Sequence, residues 1–138
     1  MTVVNYPFSF PYRNISAGLY PALHITVESV EEPIQAVLVD AFLDSGAGHS
    51  LFDGGIAGGI GIDLLSGARK RYETTAGVLI DARLHRVRLS HLQLGNFELE
   101  IGFSMGAISR NLLGRDFFNL TQIGFRENQL TFLVSPTP

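Results

Sequence analysis

The chain of 138 residues contains no cysteine. That excludes disulfide bonds, thiol catalysis and thiolate-ligated zinc, while leaving the redox compartment open. Charge is also scarce: Asp, Glu, Lys and Arg together make up 17% of the residues, and the formal net charge is -3. A domain that binds nucleic acid ordinarily carries a basic face, so no nucleic-acid partner is expected. No apolar run approaches the roughly 18 residues of a membrane-spanning helix. The first residues lack the charged segment and apolar core of a secretory leader. The expectation is a cytoplasmic protein with no membrane partner. Asn14-Ile15-Ser16 and Asn119-Leu120-Thr121 fit the glycosylation formula, and without a secretion signal both read as chance matches.

What is present points to one domain with a substantial core: 46% of residues are hydrophobic, and fifteen glycines supply turns and close backbone approaches. Residues 1–18 carry Pro7, Pro11 and four aromatics, Tyr6, Phe8, Phe10 and Tyr12. Proline spacing argues against a helix, so an extended arm is expected, packed on its own domain or on a partner. Leu19, Leu23, Ile25 and Val27 alternate with polar residues as in a half-buried strand, with His24 on the solvated face. Glu31-Glu32-Pro33 should turn the chain into an apolar strand, Ala36 to Leu43. A hairpin is expected around Thr75-Ala76-Gly77, flanked by Tyr72-Glu73-Thr74 and Val78-Leu79-Ile80. Apolar residues then switch from even positions (Ile80, Ala82, Leu84) to odd ones (Val87, Leu89), which suggests a bulge near His85-Arg86. A second hairpin is expected with Leu92 and Leu94 in one strand, Gly95-Asn96 as its turn, and Phe97, Leu99, Ile101 and Phe103 in the other. A short helix over Arg115 to Leu120 and two closing strands, Ile123 to Phe125 and Leu130 to Val134, complete the chain. Many short strands with frequent turns make the class all-β, a closed barrel-like fold with one short C-terminal helix. The expected layout is an arm over 1–18, a domain over 19–134 and a tail over 135–138.

Three sequence patterns suggest chemistry and fail on context. Gly54 to Gly61 is glycine-rich but lacks the Gly-Lys-Ser/Thr of a phosphate loop, and reads as a loop or short helix. His85 and His91 have no third ligand at metal-site spacing, so no metal is expected. Gly102-Phe103-Ser104-Met105-Gly106 fits the serine-hydrolase elbow, but no histidine follows His91 to serve as its base.

The stretch that survives is Asp44-Ser45-Gly46-Ala47, at the end of the apolar strand. A carboxylate at the end of a core strand is costly unless something there pairs or uses it. Downstream lies Leu112-Leu113-Gly114-Arg115-Asp116. Together and in this order the two motifs resemble the retropepsin-like aspartic proteases, the single-domain retroviral type and its cellular relatives. The likeness extends in order and spacing over residues 19–134.

The resemblance implies an aspartic endopeptidase with no cofactor. Asp44, Ser45 and Gly46 would be catalytic. Ala47, Gly48, His49, Thr74, Thr75, Ala76 and Gly77 would bind substrate, the last four as the tip of a flap. Leu113, Gly114, Arg115 and Asp116 would support the site. Aspartic proteolysis needs two carboxylates, and this chain supplies one such loop, so the implied partners are a second copy in a two-fold homodimer and an extended peptide or protein substrate. Retroviral members often carry an acid four residues after the catalytic aspartate, paired with the arginine. Here that position is Gly48, so Arg115 is expected to pair with Asp53 or Asp116. Two other functions fit the same residues. One is a catalytically silent peptide-binding or dimerisation module of this fold, and the other is a small β-barrel that takes a hydrophobic ligand.

Overall fold

A computed structural model describes residues 3–31 and 35–138. Twelve strands and two short helices follow in order: β1 (Phe8–Pro11), β2 (Arg13–Ile15), β3 (Gly18–Tyr20), β4 (Ala22–Ser29), β5 (Ala36–Leu43), β6 (Leu51–Phe52), α1 (Gly55–Gly59), β7 (Ala68–Glu73), β8 (Leu79–His91), β9 (Gly95–Ser104), β10 (Asn111–Leu113), α2 (Arg115–Phe118), β11 (Gln122–Arg126) and β12 (Thr131–Ser135). Short 3-10 turns at Leu64–Ser66 and Glu127–Gln129 fill two connections. The fold is therefore all-β with two short helices, α2 where the C-terminal helix was expected and α1 in the glycine-rich segment. Glu32 and Pro33 of the expected turn lie outside the described residues. Among the described residues no helix is long and apolar enough to cross a membrane.

The main sheet runs β4-β5-β10-β6-β9-β8-β7, and an extra pairing of β4 with β8 closes it into a ring. Closure removes most free strand edges. Strand β7 stays outside the ring, paired with the first half of β8 as a projecting hairpin. Side chains from β4, β8 and β9 fill the interior, with Ile25, Val27, Val87, Leu89, Ile101 and Phe103 fully buried. Phe52, Phe117 and Phe132 are equally enclosed. Each such phenylalanine contributes about 1.5–3 kcal/mol of transfer free energy.

Residues at the N-terminus pack on the domain itself. Strand β1 pairs with β12, which pairs in turn with β11, in a three-stranded sheet built from both ends of the chain. Phe10 stacks on Phe132 with centroids 5.5 Å apart, and the buried Tyr12 donates its hydroxyl proton to Glu127 over 2.9 Å. The rest of the arm is a hairpin, β2–β3, turning through Ser16 and Ala17 at φ 52° and 63°. Leu19 belongs to that hairpin and is 49% exposed, so the buried alternation begins in β4. His24, on the outer face of β4, pairs with Asp40 at 2.8 Å.

The structure corrects two local expectations. No bulge interrupts β8. Its register with β9 runs unbroken from Ala82↔Ser104 to His91↔Gly95, and that with β7 from Leu84↔Ala68 to Leu79↔Glu73. What changes near His85-Arg86 is the neighbour on the opposite edge, β7 before it and β4 from Val87 onward. The buried face changes with the neighbour, without an extra residue. The second hairpin also turns earlier than expected. Leu92, fully exposed, lies in the turn with Gln93 and Leu94, Gly95 closes the turn at φ 89°, and Asn96 is already in β9.

His91 anchors that turn. Its Nδ1 accepts protons from the backbone N–H groups of Gln93 (3.1 Å) and Leu94 (3.3 Å), which requires the neutral ring. Burial, with His24 nearby, lowers its pKa below the ordinary 6.5. Between 6.5 and the lower folded value the unfolded chain holds a proton that the native state refuses, so stability falls as pH drops through that window. His91→Leu should cost about 1 kcal/mol at neutral pH and remove this share of the acid slope. Urea midpoints followed from about pH 7.5 to 5 measure both effects.

Candidate active site

Strand β5 delivers Asp44. The parallel pairing of β5 with β10 sets Leu43 beside Leu113, and the ladder is extended by Asp44 N–H donating to the Leu113 carbonyl (2.9 Å). The chain then turns sharply. Asp44 Oδ1 accepts from Gly46 N–H at 2.9 Å, and the Asp44 carbonyl accepts from Ala47 N–H at 3.2 Å. This Asx-type turn uses the carboxylate to shape its own loop. Asp44 is half-buried, whereas Ser45 and Gly46 are exposed.

The downstream motif lies directly beneath this loop. Arg115 N–H donates to the Ala47 carbonyl at 2.8 Å. Gly114 fits because it has no side chain: a Cβ there would stand 2.6 Å from the Ala47 carbonyl oxygen and 3.0 Å from the His49 carbonyl carbon. Leu113 is fully buried in the core.

Ser50, which the sequence did not single out, ties the assembly together. It is completely buried. Its hydroxyl donates to Asp116 Oδ1 (2.7 Å) and accepts from Gly114 N–H (3.0 Å), while its N–H donates to Asp116 Oδ2 (2.9 Å). Its carbonyl accepts from the Tyr72 hydroxyl and from Gly102 N–H, each at 3.1 Å. Tyr72 is held as a proton donor, because burial first, and then the negative charges of Asp116 and Glu100, raise its pKa. Serine at 50 has no local sequence signal, since its partners come from three distant segments.

The hairpin β7–β8 overhangs the loop. Its turn is closed by Thr74 N–H to the Val78 carbonyl (2.9 Å), Gly77 N–H to the Thr74 carbonyl (2.9 Å) and Val78 N–H to Thr74 Oγ1 (3.2 Å). Between hairpin and loop lies an open cleft of about 310 Å³. Asp44, Gly46, Ala47, Gly48 and His49 form one side and Tyr72, Glu73, Thr74, Thr75 and Ile80 the other, with Leu51 and Leu112 between them. Of the expected site residues, Ser45 lies outside this cleft on the exposed loop crest, and Ala76 and Gly77 lie at the exposed hairpin tip. Leu51, Leu112, Tyr72, Glu73 and Ile80 join the cleft although they were not among the expected site residues.

Arg115 pairs with neither Asp53 nor Asp116. Asp116 is committed to Ser50 and to Phe117 N–H (2.8 Å), and Asp53 accepts from Gly55 N–H (3.0 Å) and Ile108 N–H (3.2 Å). Two residues of the rejected motifs are bonded to backbone carbonyls. Ser104 is buried and donates to the Gly106 carbonyl at 2.6 Å, the position of a structural hydroxyl. His85 is bonded to the Leu64 carbonyl at 2.9 Å.

Ser50→Ala should cost about 1–3 kcal/mol, since it removes the hydroxyl bond to Asp116 Oδ1 and strands the Gly114 N–H. Gly114→Ala should cost a similar amount by pushing on the Ala47–His49 backbone. Denaturant unfolding measures both, and loop amide chemical shifts should move in Gly114→Ala.

No family model and no curated protein matches the chain. Solved structures do. A retropepsin-like aspartic protease from Rickettsia conorii superposes with a TM-score of 0.63 at 17% identity, covering 96% of each chain. The EIAV protease complexed with the inhibitor HBY-793 aligns with a TM-score of 0.49 at 15% identity, over 75% of this chain and 89% of that one. With the Rickettsia protein matched along nearly its whole length, the closed strand ring is that of the retropepsin-like fold.

Proposed function

We propose that the protein is a homodimeric aspartic endopeptidase. The observation that carries this reading is Asp44, half-buried on a loop braced from beneath and facing a cleft that the β7–β8 hairpin overhangs. One carboxylate cannot serve as both acid and base. Two Asp44 side chains meeting on a two-fold axis can, because close like charges share a single proton between them. The ionised member takes a proton from water as the water oxygen attacks the peptide carbonyl carbon. The protonated member donates to the carbonyl oxygen, giving a neutral tetrahedral intermediate. Proton transfer to the amide nitrogen then lets the C–N bond break, with no covalent enzyme intermediate.

The other residues follow from that assignment. Ser45, exposed on the loop crest, would brace the paired loops across the axis, and Gly46 would admit the substrate backbone. The substrate is an extended peptide laid along the cleft walls at Ala47–His49 and Thr74–Thr75, as an added strand is. The hairpin is the flap, its tip at Ala76-Gly77 closing over the bound chain. Tyr72 ties the flap's base to Ser50 and so to the acid loop.

Asp44→Asn should fold as the parent does and lose at least about 100-fold in peptide-bond cleavage. The measurement is mass spectrometry of a diverse peptide mixture incubated from acidic to neutral pH, with sedimentation to establish the dimer. Cleavage by both proteins alike would sink the assignment. Peptide binding by a folded dimer without cleavage would instead identify a silent module of the same fold.

A further inference from the structure

Arg115 is an exposed arginine at the edge of the cleft. Its backbone is fixed to the acid loop through the Ala47 carbonyl, so its side chain starts from a defined place. Its Nη2 lies 3.5 Å from where a Cβ on Gly48 would stand, which puts the guanidinium against a residue that lines the cleft. Among the described residues it makes no ion pair and no side-chain hydrogen bond. Three acids that could have taken it are engaged elsewhere: Asp44 with Gly46, Asp53 with Gly55 and Ile108, and Asp116 with Ser50 and Phe117. A guanidinium stays charged throughout the working pH range, and its planar fork fits a carboxylate with two parallel hydrogen bonds. The glycine at 48 leaves open the space where such a carboxylate would sit.

We infer that Arg115, reached across Gly48, takes a carboxylate of the bound polypeptide and makes that subsite selective for acid. The carboxylate is an Asp or Glu side chain or a free C-terminus. The inference rests on the reading of the cleft as a peptide groove and adds to it the chemistry of one subsite. Arg115 is here a specificity-determining residue, not a catalytic one.

The test uses binding, so it does not depend on turnover. Acetyl-capped Ala/Val octapeptides carrying one Glu or one Gln at scanned positions, each ending as free acid or amide, are titrated into the 138-residue protein. Affinity is read together with the Nε–Hε resonance of Arg115, assigned by its absence in Arg115→Gln. The expected result is roughly tenfold tighter binding of a carboxylate peptide over its amide counterpart, with a shift of that resonance. The Glu/Gln and acid/amide pairs separate side chain from terminus. Gly48→Asp should abolish the preference by supplying the carboxylate from within, read as the ratio of acid-peptide to amide-peptide affinity in the same variant. An added Cβ at 48 meets only an ordinary contact with Arg115, and the amide spectrum of the variant checks its fold. Equal binding of acid and amide peptides, or a preference that survives Arg115→Gln, overturns the inference while leaving the peptide groove standing. Failure of every peptide to bind overturns both. Dissociation of a dimer by Arg115→Gln would assign its carboxylate to the second copy, and the subsite would fall.

Discussion

Ser50 and Asp116 form the junction on which the site geometry depends. A buried hydroxyl and a carboxylate exchange one bond, and the same two residues receive or give backbone bonds to Gly114, Phe117 and Ser50's own N–H. The Ser50 carbonyl adds Tyr72 from the hairpin and Gly102 from β9. Four separate parts of the chain therefore converge on one small cluster around the buried Ser50. In such surroundings each polar group is expensive to leave unpaired, so the cluster holds together as a unit. The acid loop rides on it, pinned at Asp44 to β10 and at Ala47 to the start of α2.

This arrangement separates two adjacent charged residues by task. Asp116 turns inward and spends its carboxylate on structure. Arg115, one position earlier, gives only its backbone N–H to the loop and keeps its guanidinium outside. A glycine at 48 completes the separation, because an acid there would draw the arginine into the framework as well. The same logic applies to Tyr72, whose hydroxyl is committed to Ser50 while its ring lines the cleft. Room for that hydroxyl comes from Gly102, where a Cβ would collide with it.

The features legible in the sequence were those that conflict with their surroundings. Asp44 stands out because a carboxylate ends an apolar strand, and the hairpin at Thr75-Ala76-Gly77 because glycine interrupts two strand-like runs. Ser50 conflicts with nothing nearby, and its meaning depends on Asp116, a partner 66 residues away. The even-to-odd switch in β8 misled for a related reason. Period-two reasoning assumes one neighbour along each strand edge, whereas β8 exchanges β7 for β4 halfway along its length. Leu92 misled more simply, since an apolar residue at a turn looks like the end of a strand until the positive φ of Gly95 shows where the chain reverses.

The fold also bears on why a single carboxylate is brought so near the surface. Both ends of the chain are locked into the small sheet β1-β12-β11, and the ring of the main sheet is already closed by β4 and β8. Little in the domain is left to complete itself, yet Asp44 sits at an open cleft with its loop crest uncovered. A structural carboxylate would be expected to recruit partners from the framework, as Asp116 and Asp53 do. Asp44 instead takes only the Gly46 N–H of its own turn, so one of its oxygens is left for something outside the chain. That contrast with Asp116 and Asp53 is what supports the proposal that the chemistry is carried by Asp44.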